Sequence, residues 1–385
     1  MASDRSTNPM FGKQPFKLGL FGYLHDGGQY LTKHPDRWKA DWKDIMAMAK
    51  IADQGGLDFL VPISSWKGWT AEINHRKKSF ETLTQAAALA AVTERIGFFS
   101  TLHVPFVHPV FAAKALTTID HISGGRAGLN IVCGWNPADN AMFGVPMRVH
   151  EDRYAHGFEW WDIMTRILSS GDKEFDYDGK YFPGLKNISG EPLSIQQPQP
   201  AIISATVSPE GRRYAARTSD FILGGSSTDS AAMFAEIREI EREVGRTKDP
   251  LELIYVSSIL CRETTSEAEE AVEEYASHVD NIAVDQWVST RAKYAVSAIS
   301  DPALMRRTVA GLGGINGSPQ DVAEQIIDIH RQGYGGLAIT LFHFLNDLPI
   351  VIDRVVPILE KAGIRLPASA FTGGGAAELR QELAA

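Results

Sequence analysis

The chain has 385 residues, 44% hydrophobic and 22% charged, with 38 basic and 47 acidic side chains and a formal charge of −9. This is an ordinary globular composition, and the acidic balance excludes broad recognition of a nucleic-acid backbone, which needs clustered Lys and Arg. No apolar run approaches the ~20 residues of a membrane-spanning helix, so neither nucleic acid nor membrane is expected as a partner.

Cys133 and Cys261 each sit inside an apolar, strand-like run. Two such residues make no disulfide framework, and they read as buried free thiols in a reducing compartment. The stretch before Phe16 has no apolar segment after its charges, which disfavours a secretory leader. A cytoplasmic protein is expected.

In chain order, short apolar runs alternate with segments of helical period. Phe16–Phe21 reads as the first strand, followed by the loop His25-Asp26-Gly27-Gly28. Trp38, Trp42, Ile45, Ala49 and Ala52 then fall on one helical face, stopped at Gly55-Gly56. Leu57–Val61 is a strand, and an aromatic loop, Ser64-Ser65-Trp66-Lys67-Gly68-Trp69, follows it. Phe80–Val92 reads as a helix, Arg95–Ser100 as a strand and Val110–Ile122 as a helix. Arg126–Cys133 is a strand that breaks at Gly134-Trp135. Asp152–Leu168 is a helix, and residues 172–200 form an irregular Gly/Pro-rich insertion. Strand Ala201–Ala205, helix Pro209–Arg217, strand Asp220–Leu223, helix Asp229–Val244 and strand Leu253–Cys261 come next. Residues 264–317 break the rhythm with an acidic helix and further helical pieces, and read as a helical lid insertion. Helix Pro319–Gln332, strand Gly336–Leu341 and helix Asp347–Ala362 close the pattern. Residues 368–385 are a Gly/Ala-rich C-terminal tail, an arm or oligomer contact.

Eight apolar strands alternating with helices fit a parallel sheet buried on both faces. The count favours a closed α/β barrel, a (β/α)8 TIM barrel with insertions, spanning residues 1–385 as one domain. Residues at the strand ends then share one rim: His25, Ser64, Ser65, Thr101, His103, Asn130, Trp135, Ala205 to Ser208, Gly224, Gly225, Phe342 and His343.

The rim residues restrict the chemistry. His25, His103 and His343 follow three strands, but no His-x-His pair leaves the first strand and no paired carboxylates follow the others. No metal is therefore expected, and rim hydrogen-bonding is the simpler role for each histidine. Arg153 and Tyr154 open a helix, and arginine there is unfavourable to the helix dipole unless an anion is bound. Ser208 before Pro209 is a second helix start, either a plain N-cap or a phosphate contact. Trp66, Trp69, Trp135 and Phe342 supply flat walls. A phosphate grip beside flat walls suits a phosphorylated heteroaromatic cofactor.

The run TIDHISGGRAGLNIVCGW, Thr118–Trp135, resembles the luciferase-like flavin monooxygenases, in the branch containing pyrimidine oxygenase, dimethylsulfone monooxygenase and alkanesulfonate monooxygenase. Further matching segments are GLDFLVPIS (Gly56–Ser64), AAVTERIGFFSTL (Ala90–Leu102), HEDRY (His150–Tyr154), YFP (Tyr181–Pro183) and GGLAITLFHFL (Gly335–Leu345). The resemblance implies a two-component monooxygenase. A separate NAD(P)H-dependent flavin reductase supplies FMN as FMNH2, and O2 is the co-substrate. A flavin-peroxide would oxygenate or cleave a small heterocyclic, aromatic or organosulfur substrate. It also implies a homodimer or homotetramer.

By position, the resemblance assigns Ser64, Ser65, Asn130, Asp139, Arg153, Tyr154 and Ser208 to the cofactor. Thr101 and Asn130 become the catalytic pair holding dioxygen, through a hydroxyl and an amide donor. His25, Trp66, His103, Trp135 and His343 fall on the substrate side. The sequence departs from the pyrimidine branch at Ser65, where that branch has lysine, at Ala205-Thr206-Val207, where many relatives have a Gly-rich turn, and at His103, Phe106 and His108. These changes put uracil in doubt. The aromatic loop argues for a flat or apolar substrate over a sulfonate, which would want more arginine. The competing readings are a deazaflavin-dependent oxidoreductase of the same fold, a barrel metallohydrolase and a non-catalytic flavin-binding protein.

Overall fold

The computed structural model describes residues 4–69, 76–224, 229–294 and 301–371. Gly225, part of the 264–317 insertion and residues 372–385 of the tail lie outside them. Eight strands form a closed parallel ring: β1 (Lys17–Phe21), β2 (Phe59–Val61), β3 (Gly97–His103), β4 (Ala127–Val132), β7 (Ala201–Ala205), β8 (Phe221–Leu223), β9 (Glu252–Cys261) and β11 (Gly336–Thr340). The ring closes through β8–β9 pairing and continues by β9–β11 and β11–β1. A separate antiparallel hairpin, β5 (Phe175–Tyr177) with β6 (Leu185–Ile188), lies within residues 172–200, and β10 (Ile315–Gly317) extends the far end of β9.

The helices are α1 (Trp42–Gln54), α2 (Thr82–Ala90), α3 (Pro109–Ser123), α4 (Pro137–Met142), α5 (His150–Ser170), α6 (Pro209–Thr218) and α7 (Ser230–Glu243). They continue with α8 (Thr265–Ser277), α9 (Asn281–Tyr294), α10 (Pro302–Val309), α11 (Pro319–Arg331), α12 (Phe344–Ile350) and α13 (Val356–Lys361).

Strand alternation builds two cores. Outward side chains such as Leu18, Leu60, Phe98, Leu129 and Ile202 pack under the helices. Inward ones, including Phe59, Phe99, Ile203, Leu223 and Ile254, fill the barrel, with Met10 plugging its base. Burying each such side chain stabilises by roughly 1.5–3 kcal/mol. Two rings need the room that glycine leaves: a Cβ at Gly19 would lie 2.4 Å from the Phe59 ring, and one at Gly128 would lie 2.6 Å from that of Phe99.

A third core lies above the strands' C-terminal ends. Val272, Tyr275, Val284, Met305 and Val309 of α8–α10 pack on Tyr30, Trp69 and Phe342 from the loops after β1, β2 and β11. Tyr275 stacks on Phe342 at 3.5 Å between centroids. Arg262 ties this layer down, donating to Asp347 and to the Tyr275 hydroxyl, each at 3.0 Å. The insertion thus rests on the same rim from which the site is built.

Several boundaries differ from the sequence reading. Trp38 precedes α1, which starts after its N-cap Asp41; its indole is buried and donates to the Tyr23 carbonyl at 2.6 Å, so burial rather than helix accounts for it. β3 runs through His103 because its ladder with β4 continues to the His103–Val132 pair. The closing helix begins at Phe344 and passes through a π turn, Val351–Val355, just after Pro349, whose missing N–H disrupts the regular ladder. Short α4 has too few residues for a periodic signal and was not expected.

The Gly124-Gly125 break is a helix stop: Gly124 caps α3 at φ 66°, the left-handed conformation in which glycine carries no steric penalty. Arg126, beside it, is structural. Its buried guanidinium donates to the carbonyls of Ala90, Thr93, Ile96 and Ser123, tying β4 to the end of α2.

Candidate active site

A cavity of about 430 Å³ opens at the strands' C-terminal ends, within the usual size range for small-ligand sites. β3 and β4 provide its floor. Thr101 and Asn130 are direct register partners, so their side chains emerge side by side. Asn130 Nδ2 donates to Thr101 Oγ1 at 3.1 Å, and the Thr101 hydroxyl donates to the Pro62 carbonyl at 2.5 Å. Asn130 Oδ1 is buried with no hydrogen-bond partner. An unmet buried acceptor costs about 1–3 kcal/mol, and this one lines the cavity, where a ligand N–H or O–H can satisfy it.

One pole of the cavity is the start of α6. Ser208 caps it by accepting from the Gly211 N–H at 3.1 Å, and the Tyr154 hydroxyl lies 3.4 Å from Ser208 Oγ. A Cβ at Gly211 would fall 1.7 Å from Thr206 Oγ1 and 2.7 Å from the Tyr154 hydroxyl, so only glycine lets these groups converge. Hydroxyls around a helix N-terminus make a phosphate-sized anion site. Arg153 lines this pole but is partly spent: Nη1 donates to the Gly134 carbonyl at 2.6 Å and Nη2 meets His150 Nδ1 at 2.9 Å. The arginine thereby also fixes the Gly134-Trp135 break against α5.

The cavity is also lined by Gln29, Arg76, Trp135 and, from α9 and α10, Trp287, Arg291 and Val309. Trp135 packs against Trp69 at 6.2 Å. A neighbouring groove shares Ser64, Thr101 and His103 with the cavity and holds Trp66, Phe106 and Phe143. Phe106 and Phe143 stack at 4.3 Å, with Trp66 edge-on to Phe143 at 4.8 Å.

The structure brings Ser64, Thr101, His103, Asn130, Trp135, Arg153, Tyr154 and Ser208 to the cavity, and Trp66 to the groove beside it. Four residues named from the sequence lie elsewhere. Ser65 turns away, its hydroxyl donating to the Arg76 carbonyl at 3.4 Å. Asp139 is buried behind the wall and accepts from the Lys67 N–H at 3.0 Å. His25 is fully buried, its backbone bridged to Ser79, and does not line the cavity. His343 caps α12 and packs edge-on to Trp38 at 5.6 Å. Strand-end position places a residue on the rim, but the loop's own path decides which way its side chain faces.

Gln29, Arg76, Trp287 and Arg291 were not singled out in the sequence. Arg76 is buried while Lys77 and Lys78, which follow it, are exposed.

Burial alone pushes the His103 imidazole down to about 4 from its ordinary 6.5, so it is neutral at physiological pH. The unfolded chain then binds more protons than the fold between those values, and stability should fall as pH drops from about 6.5 toward 4. Urea unfolding of the wild type should show this loss, and His103→Gln should lessen it; identical pH profiles for the two proteins would refute the assignment. Cys133 also lines the cavity, but burial pushes its thiol up to about 12, which leaves it protonated and poorly nucleophilic. Both cysteines are free and buried. Among the described residues no group of three or more His, Cys, Asp or Glu side chains is placed to hold a metal, and no helix is long and apolar enough to cross a membrane.

A closed (β/α)8 barrel with a cofactor-sized cavity over its strand ends defines the class of protein. Residues 17–335 match the luciferase-like monooxygenase family, and the chain belongs to it. It is 23% identical over 354 residues to the pyrimidine monooxygenase RutA of Caulobacter vibrioides, covering 89% of this chain and 98% of that one. It is 24% identical over 361 residues to the FMNH2-dependent dimethylsulfone monooxygenase of Pseudomonas putida, covering 90% and 96%. Among solved structures, EDTA monooxygenase (EmoA) from Chelativorans sp. BNC1 superimposes with a TM-score of 0.79 at 23% identity, over 94% of this chain and 97% of that one. An F420-dependent secondary alcohol dehydrogenase shares the fold at a TM-score of 0.64 and 15% identity, covering 90% and 98%.

Proposed function

We propose that this monooxygenase is the oxygenating component of a two-component system. It would take reduced FMN from a separate reductase and use dioxygen to oxygenate or cleave a bond in a small organic substrate. One observation carries this reading: a single cavity joins the α6 phosphate pole to the Thr101–Asn130 pair with its unpartnered amide oxygen. The residues present fit the cofactor. Ser208, Tyr154 and the α6 N–H groups would hold the phosphate, and Asn130 would meet a polar edge of the ring system. Bound there, reduced flavin supplies the electrons that activate dioxygen.

The protein's own contribution is positioning and exclusion. Thr101 accepts from Asn130 Nδ2 and so fixes the amide plane. The amide keeps one N–H and its whole carbonyl for ligands. A fixed donor stabilises an anion as charge develops. Trp287, Met305 and Val309 come from the 264–317 insertion and line the cavity, so the insertion acts as a lid that keeps water out.

The test is a substrate screen with reductase, FMN and 18O2, read by mass spectrometry for label in the product. FMN binding by fluorescence quenching, set beside F420 binding, separates this reading from a deazaflavin oxidoreductase. Preference for F420, with no label incorporated, would overturn it. Gly211→Ala is expected to weaken FMN binding by at least ~10-fold by crowding the phosphate pole, while riboflavin, which lacks the phosphate, loses less. Equal losses for both ligands would place the phosphate elsewhere.

A further inference from the structure

Besides Arg153, two further arginines line the cavity, Arg76 and Arg291. Arg76 is buried, 8% exposed. Its Nη2 donates to Gln29 Oε1 at 3.0 Å, and Nε has no partner. Its backbone takes φ 63°, an uncommon conformation for a side chain of this size, pinned by the Ser65 hydroxyl on its carbonyl. Arg291 enters the same cavity from α9, its guanidinium over the Trp287 ring at 5.1 Å.

These charges are not neutral neighbours. Burial, the largest cause, holds Arg76 down to about 10; the Asp139 carboxylate, next in size, raises it, and the smaller effect of the Arg291 charge lowers it. Two arginines drawn into a largely apolar cavity repel each other, and each is short of its water. An anion in the cavity would relieve that cost for Arg76, whose Nε has no partner. Gln29 presents the carboxamide that orients Arg76, and Trp135 and Trp287 line the same cavity with flat surface suited to an apolar body.

We infer that Arg76, with Arg291 and Gln29, forms an anion subsite for the substrate, which is therefore a small carboxylate or sulfonate on a flat or apolar frame. This deepens the monooxygenase reading and rests on the cofactor's phosphate occupying the α6 pole. It also reverses the expectation drawn from the aromatic loop, that a sulfonate was disfavoured for lack of arginine.

The probes are benzoate and benzenesulfonate, with benzamide as the neutral counterpart, titrated into the FMN-loaded protein and followed by tryptophan fluorescence. Both anions should bind about tenfold or more tighter than benzamide, the range for a charge-assisted bidentate contact. Arg76→Gln should remove most of the anions' preference over benzamide, Arg76→Lys should retain part of it, and Arg291→Gln should weaken the anions by a smaller factor. FMN affinity should stay within about twofold in all three variants, because the phosphate is held elsewhere. Equal affinity for benzoate and benzamide in the wild type, or no saturable binding of benzoate, overturns the proposal. Loss of FMN binding in Arg76→Gln overturns it in another way, by assigning the arginine to the cofactor. Ser208→Ala should weaken FMN and leave benzoate unaffected; if benzoate binding falls instead, the anion site is the α6 pole. If the protein binds no FMN, the monooxygenase reading fails, and the probe series on the unloaded protein still decides the subsite.

Discussion

Asn130→Ala is expected to lower labelled-product formation by about 10²–10³-fold, the usual cost of removing one donor from a site where charge develops. The loss should appear in kcat, with FMN affinity changed by only a few-fold. Asn130 is 3% exposed, contacts Thr101 through one N–H and leaves its carbonyl without a partner beside the cavity. Truncation removes the free N–H and acceptor together and leaves the phosphate pole untouched. Thr101 should behave differently. The sequence reading took both residues as donors to dioxygen, but the structure commits the Thr101 proton to the Pro62 carbonyl. Thr101 is then a positioning residue that accepts from the amide. Thr101→Ser should keep most activity, and Thr101→Val should reduce it less than Asn130→Ala. Substrate hydroxylation at wild-type rate in Asn130→Ala would sink the pair's role altogether.

Arg365→Met is expected to destabilise the fold by roughly 3–5 kcal/mol, by stranding a buried carboxylate. Arg365 and Asp58 pair at 2.7 Å with both side chains almost fully buried. The same guanidinium donates to the carbonyls of Phe16 and Gly56, and Asp58 Oδ2 also accepts from the Leu18 N–H. One ion pair thus joins the chain's end to β1 and to the entry of β2, at the barrel's base. Adding Asp58→Asn to Arg365→Met should recover part of the loss, because an amide carries no charge needing a partner. Urea unfolding of the single and double variants measures this directly. A single-variant loss below ~1 kcal/mol would show that water reaches the pair and screens it. Neither residue lies near the cavity, so FMN binding measured well below the transition should be unchanged.

Parts of this molecule were legible because they are local. Each barrel strand is a short apolar run, and some helix starts carry their own marker, such as Ser208-Pro209. Counting those units was enough to reach a closed barrel. The run ending at Gly134-Trp135 marked Asn130, because a strand's last residues in such a barrel must face the rim. Residues 264–317 stood out by breaking the alternation.

The errors came where direction, not position, was at stake. His25 and His343 follow strands as expected, yet one is buried behind the wall and the other caps a helix. Ser65 and Ser64 are adjacent, and successive residues of an extended loop face opposite sides, so only one lines the cavity. Arg76 was hidden by the two exposed lysines beside it.

The sequence by itself determined the barrel and its element order, which follow from periodicity, and a resemblance in its motifs gave the family and pointed to Thr101 and Asn130 together. Only the tertiary structure decided which rim side chains turn inward, that the Thr101 proton is already spent, and that two arginines 215 positions apart in the chain share one cavity. The physical reason is that periodicity encodes which face of a strand or helix is buried. The path of a loop, and the partners its side chains meet, are set by segments distant in sequence that come together only when the ring closes.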